Sequence, residues 1–132
     1  MNIIVCLDNN NGMLFNKRRQ SRDRELILRI KELTEGHRLW MNAYSARLFG
    51  DDVFVADDFI AEAGTGDYCF IENTPIPTDS IEQIIIYHWN REYPSDTYFD
   101  LDISGMKLIS RYEFKGYSHD TITEEIYEQQ KI

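Results

Sequence analysis

The sequence predicts an α/β fold, built on a mixed, mostly parallel sheet that ends in an antiparallel hairpin. Three observations predict it. Short β-branched runs alternate with short helical patterns through residues 1–72, as βα units do. The run QIIIYHW, residues 83–89, is almost wholly apolar, which suits a strand buried on both faces. Residues 106–115 and 118–128 are rich in Ile, Thr, Tyr and Phe and are joined near Gly116, so they read as two long antiparallel strands.

Each element follows from its local chemistry. NIIVCL, residues 2–7, is a β-branched run and a first strand. DNNNG then gives a turn, because Asn and Gly tolerate left-handed backbone. From Asp23 the period changes. Leu26, Ile30 and Leu33 recur at helical spacing, and Ile27 widens the stripe. Ser21 is the expected N-cap, Asp23 and Glu25 suit the positive end of the helix dipole, and Gly36 suits the stop. RLWMN (38–42) reads as a second strand, AYSARLFG as a short helix closed by Gly50, and DVFVA (52–56) as a third strand. DDFIAEAG reads as a helical turn and YCFIE (68–72) as a fourth strand. TPIPTD holds two of the three prolines and is irregular.

At 132 residues the chain is one domain. It has no apolar run long enough to span a membrane, and its N-terminus lacks the basic and apolar regions of a signal peptide. Cys6 and Cys69 both sit in apolar strands, so they read as reduced core thiols, and the expected location is cytoplasmic. Charge is unevenly spread. Residues 1–50 hold nine Lys/Arg against five Asp/Glu, and residues 51–132 hold five against eighteen, together −9. This predicts a basic face on an acidic body, and the acidity argues against general nucleic-acid binding.

Several motifs in order resemble a dihydrofolate reductase: NNNGMLFN, the helix ending at Thr34, RLWMNAYS (38–45), IIIYHW, DTYF (96–99), and the terminal pair KLISRYEF and HDTITEEIYEQ. The resemblance implies a three-layer α/β/α domain covering residues 1–132, with a mobile loop in the region 8–22. It implies NADPH and a pteridine as ligands of the ancestral site.

The positions that the family uses for chemistry depart from its pattern. The family's first-helix carboxylate, which helps supply a proton, falls on Leu26, so Glu25 and Asp23 can serve only with a shift. The Gly-Arg opening the phosphate-binding helix is Asn42-Ala43. The glycine pair that lets pyrophosphate approach the backbone is Glu72-Asn73, followed by Thr74-Pro75. A carboxylate there repels phosphate. A small hydroxyl that holds the pteridine falls on bulky Tyr87, and the adenosine-binding region is shortened.

The candidate anion or partner site is Lys17, Arg18, Arg19, Arg22 and Arg24, five cations in eight positions. A solvated loop and helix face, balanced by Asp23, Glu25 and Glu32, is the bland reading of the same residues. His88 reads as a hydrogen-bonded strand residue, His37 and His119 as turn or edge residues. With no H-x-H or H-E-x-x-H spacing, no metal site is expected. The acidic pairs Asp51-Asp52, Asp57-Asp58 and Glu124-Glu125 are expected to be solvated, since neighbours on a strand face opposite ways.

The leading expectation is a reductase-fold protein without hydride chemistry and without a cofactor, acting by binding another protein. One alternative is a remodelled NADPH-dependent reductase using Glu25 or Asp23. Another is a metal-independent ribonuclease or RNA-binding protein that uses the arginine cluster with His37.

Overall fold

The computed structural model describes residues 1–130. The elements in chain order are β1 (Asn2–Leu7), β2 (Gly12–Phe15), β3 (Arg18–Arg19), α1 (Arg24–Leu33), β4 (Leu39–Met41), α2 (Ala43–Phe49) and β5 (Phe54–Val55). They continue with α3 (Phe59–Glu62), β6 (Tyr68–Phe70), β7 (Gln83–His88), β8 (Thr97–Tyr98), β9 (Met106–Phe114) and β10 (Ile122–Gln129). Seven strands form one sheet in the order β5-β4-β6-β1-β7-β10-β9. The first five of that order run parallel, and β10 is antiparallel to both β7 and β9. The expected mixed α/β sheet with an antiparallel C-terminal pair is therefore present.

β1 and β7 lie side by side in the middle, in register from Asn2 opposite Gln83 to Leu7 opposite His88. Their Ile and Val side chains are buried above and below the sheet, which is why neither strand alternates with polar residues. The two faces carry separate cores. On one, Ile4, Ile85 and Tyr87 meet Leu26 and Ile30 of α1 and Phe49 of α2. On the other, Ile3, Val5, Ile84 and Ile86 meet Phe59 of α3, with Met13 and Leu14 from a second small sheet and Phe99 just past its last strand. That sheet, in the order β3-β2-β8, occupies residues that read as loop in the sequence.

The loop 8–22 is consequently a structured hairpin. Asn16 and Lys17 turn it, both at positive φ, 51° and 63°. Asparagine tolerates this backbone and lysine does so at a cost, so the turn lacks the usual Asn-Gly signature. Asp8 closes the preceding turn, its carboxylate accepting from the N–H groups of Asn10 and Gly12 at 2.8 Å.

Three local expectations need correction. Asp23, not Ser21, caps α1: Asp23 accepts from the Glu25 N–H at 2.9 Å, while Ser21 Oγ lies 3.1 Å from His119 Nε2. The third strand shrinks to Phe54–Val55. Glu124 is not solvated but 1% exposed, whereas Asp51, Asp52, Asp57 and Asp58 are exposed. Cys6 and Cys69 are both free thiols, and burial pushes the Cys69 thiol up to about 11. Among the described residues no helix is long and apolar enough to cross a membrane.

Candidate functional site

In open α/β sheets ligands bind beyond the carboxyl ends of the parallel strands. Here that rim is formed by the ends of β1, β4, β6 and β7. At the ends of β4 and β6 it is occupied by the protein's own side chains, while a cleft of about 300 Å³ lies beside Leu7 and His88 at the ends of β1 and β7.

At its centre Arg19, from the β2–β3 hairpin, forms a two-pronged bond with Glu72 just past β6. Arg19 Nε donates to Oε2 at 2.8 Å and Nη2 to Oε1 at 3.0 Å. Ser45 of α2 donates its hydroxyl to the same carboxylate at 2.7 Å. The guanidinium also lies 4.2 Å from the centre of the Tyr44 ring, and the Arg19 N–H donates to the Tyr44 hydroxyl at 3.0 Å. Planar, two-pronged guanidinium–carboxylate pairs are the strong members of their class, and this one is largely out of water. The neighbouring position is closed as well. Asn42 caps α2, accepting from the Ser45 N–H at 3.0 Å, and its amide donates to Asn73 Oδ1 at 2.8 Å. Beneath the Arg19–Glu72 bridge, between Cys6, Ser21 and Trp89, the remaining void is about 10 Å³, room for one water at most.

A second polar cluster adjoins it. Asp23 Oδ2 accepts from His119 Nδ1–H at 2.9 Å, which fixes that tautomer. His119 Nε2 faces the Tyr93 hydroxyl at 2.8 Å and Ser21 Oγ at 3.1 Å. His119 is 3% exposed and stacks on Trp89, so it is a core residue and not the turn or edge residue the sequence suggests. Carboxylate, imidazole and hydroxyl in a row are the parts of a nucleophile triad. They lack its geometry: the void at Ser21 admits no acyl substrate, and Tyr93 competes for the same ring nitrogen. The cluster instead ties the start of α1 to the β9–β10 connection. Asp23 Oδ1 takes the Tyr117 N–H and Oδ2 the Ser118 N–H, both at 2.9 Å. Gly116 is required there, since a Cβ would fall 2.8 Å from the His119 carbonyl oxygen and 2.7 Å from the Asp23 carboxylate.

A third cluster lies under α1. Glu124 of β10 accepts from Arg29 Nε and Nη2, each at 2.9 Å, and from the Tyr87 hydroxyl at 2.8 Å. Burial, together with the Glu124 carboxylate, holds the Tyr87 phenol far above its ordinary value. Tyr87 thus fills the space under α1 and donates to a partner within the protein. Glu125, the next residue, points the other way and meets His88 and Arg111, so the two acids divide as strand geometry requires. The expected structural hydrogen bond of His88 is this one.

The structure does not bring the five N-terminal cations together. Lys17 and Arg18 are exposed at the hairpin. Arg19 is spent on Glu72 and Tyr44. Arg22 and Arg24 lie at the start of α1, beside a groove of about 490 Å³. His37 is exposed beyond the far end of α1, edge-on to Tyr68 at 5.6 Å between ring centres. The helix between spans ten residues, roughly 15 Å, so His37 and the cluster cannot serve one reaction centre. Asp23 is buried and committed to backbone donors. Glu25 sits on the first turn of α1, its carboxylate without a hydrogen-bond or salt-bridge partner among the described residues, and Ala43 is exposed at the first position of α2. No group of three or more His, Cys, Asp or Glu side chains among the described residues is arranged to hold a metal ion. The sequence reading missed Tyr44, Ser45, His119 and Glu124 as site partners. Their contacts span 25 to 96 residues of chain, and no local spacing announces them.

No protein-family model matches the chain, and no curated protein matches it. Among solved structures it is similar to the dihydrofolate reductase of Enterococcus faecalis complexed with NADP(H) and RAB-propyl. The TM-score is 0.70 with 11% identity, over 98% of this chain and 96% of that one. The likeness defines the fold class, a mixed α/β sheet protein. More particularly, the chain has the dihydrofolate reductase fold, in a divergent form.

Proposed function

We propose that this chain is a reductase-fold binding module that does not carry out hydride transfer and does not bind NADPH. The observation that carries the reading is the Arg19–Glu72 bridge. At the position where the resemblance puts a glycine pair facing pyrophosphate stands a carboxylate held by two guanidinium bonds and one hydroxyl. A phosphate entering there must displace Glu72 from Arg19 and then sit against its negative charge. Breaking a pair of this kind from one side costs several kcal/mol. The family's proton-donor position is lost separately, because Leu26 is buried and apolar, and of the two neighbouring carboxylates Asp23 is tied to the β9–β10 connection, which leaves only Glu25 uncommitted.

The test is a titration with NADPH, read by nicotinamide fluorescence and by melting temperature. The expected result is no change in either at about 1 mM ligand. A site with a Kd of about 100 μM would add about 1.4 kcal/mol of stability under those conditions, enough to see. Saturable stabilisation of that size, lost on Asn42→Asp, would overturn the proposal and restore the reductase reading.

A further inference from the structure

We infer that the groove between the start of α1, the end of α2 and the β9–β10 connection is the docking site for an acidic protein segment carrying an apolar side chain. The inference rests on the binding-module reading and names the surface and its partner's chemistry. The floor is aliphatic: Ile27 and Leu28 from α1 and Leu48 from α2. Leu28 is 54% exposed and Tyr117 67%, so two large apolar side chains face solvent side by side. An exposed patch of this kind rimmed by polar groups marks an interaction surface.

The rim is cationic. Arg22, Arg24 and Arg47 surround the floor, all three exposed, and none has a carboxylate partner among the described residues. Arg24 is held in place over the Tyr117 ring, 4.2 Å from its centre. The one acid in the lining, Asp23, is buried, and its oxygens are taken by the Tyr117, Ser118 and His119 donors. On a chain of net charge −9, three uncompensated arginines around one apolar floor form a local field of opposite sign. An acidic segment is drawn there, and its apolar residue covers Leu28 and Leu48 while carboxylates meet the guanidinium forks. A nucleic acid fits the same groove poorly. Aliphatic side chains give bases nothing to stack on, and the Tyr117 ring face is already covered by Arg24.

The experiment is selection of short random peptides on the immobilised 132-residue chain, followed by fluorescence anisotropy of the enriched sequences. Enrichment of Asp and Glu flanking Leu, Phe or Trp is expected, with binding weakened about tenfold or more by Arg22→Glu/Arg47→Glu and by Leu28→Glu. These positions are exposed, so the variants keep the parent's melting temperature, which is measured alongside. Absence of enrichment, enriched peptides without acids, or binding indifferent to these substitutions would each overturn the inference. So would single-stranded oligonucleotide binding with equal affinity and the same loss. The NADPH titration separates the two levels. Peptide failure with no NADPH binding sinks the groove alone, whereas NADPH binding sinks the reading beneath it.

Discussion

Replacing Glu124 by alanine should destabilise the protein by about 3–5 kcal/mol, the usual cost of removing one partner from a buried ion pair. In a domain of this size that lowers the melting temperature by roughly 10–20 °C. Glu124 is 1% exposed and satisfies three donors at once: two from Arg29 and the Tyr87 hydroxyl. Its loss leaves the phenol without an acceptor in the core. Arg29 keeps Glu32, at 3.0 Å, and the Tyr112 ring, so it is only partly orphaned. The Tyr87 hydroxyl and the Arg29 guanidinium, not the helix backbone, bear the loss. Removing the whole cluster therefore behaves differently. Arg29→Met/Tyr87→Phe/Glu124→Leu leaves no unpaired group and should recover most of the stability lost in the single variant. Urea denaturation at constant m-value measures both. A single variant as stable as the parent would mean that water reaches Tyr87 and that α1 is docked by its apolar stripe alone.

The contrast between these clusters and the strands explains what the sequence could announce. β1 and β7 are legible because each is a nearly unbroken apolar run, and β9 and β10 because Ile, Tyr, Thr and Phe recur through the pair on either side of Gly116. α1 is legible because Leu26, Ile30 and Leu33 repeat at helical spacing. The small sheet is not, because β3 and β8 are two residues each and its hairpin turns on Asn16 and Lys17 without a glycine. The sequence puts the cap of α1 at Ser21, with Asp23, an equally good capping residue, two positions on. The β9–β10 connection, far away in sequence, decides between them by offering Asp23 three further donors. The cation cluster misled in the opposite direction. Proximity along the chain suggested one site, yet a hairpin and a helix start separate its members, leaving Arg19 as a plug and Arg22 with Arg24 at a groove completed by Arg47.

Asp23 gives the second large effect, and its sign with pH is fixed by what surrounds it. Burial alone would raise its pKa. The donors of Tyr117, His119, Ser118 and Glu25 outweigh burial and hold the carboxyl well below the usual carboxylate range. A depressed folded-state pKa means that the stabilisation is fully present above the unfolded value, near 4, and is lost as pH falls below it toward the folded value. Asp23→Ala at neutral pH should cost about 4 kcal/mol, from a lost helix cap and from buried Tyr117, Ser118 and His119 donors left without an acceptor. The gap between parent and variant should close progressively as pH drops below about 4. Amide exchange supplies the local readout: the Tyr117 and Ser118 N–H groups should lose protection in the variant, while those of β1 and β7 follow global stability only. A gap that widened in acid would show that Asp23 is protonated in the folded protein. The protonated carboxyl would then be able to act as the proton donor that the reductase reading requires, and the tie between α1 and the β9–β10 connection would have to come from elsewhere.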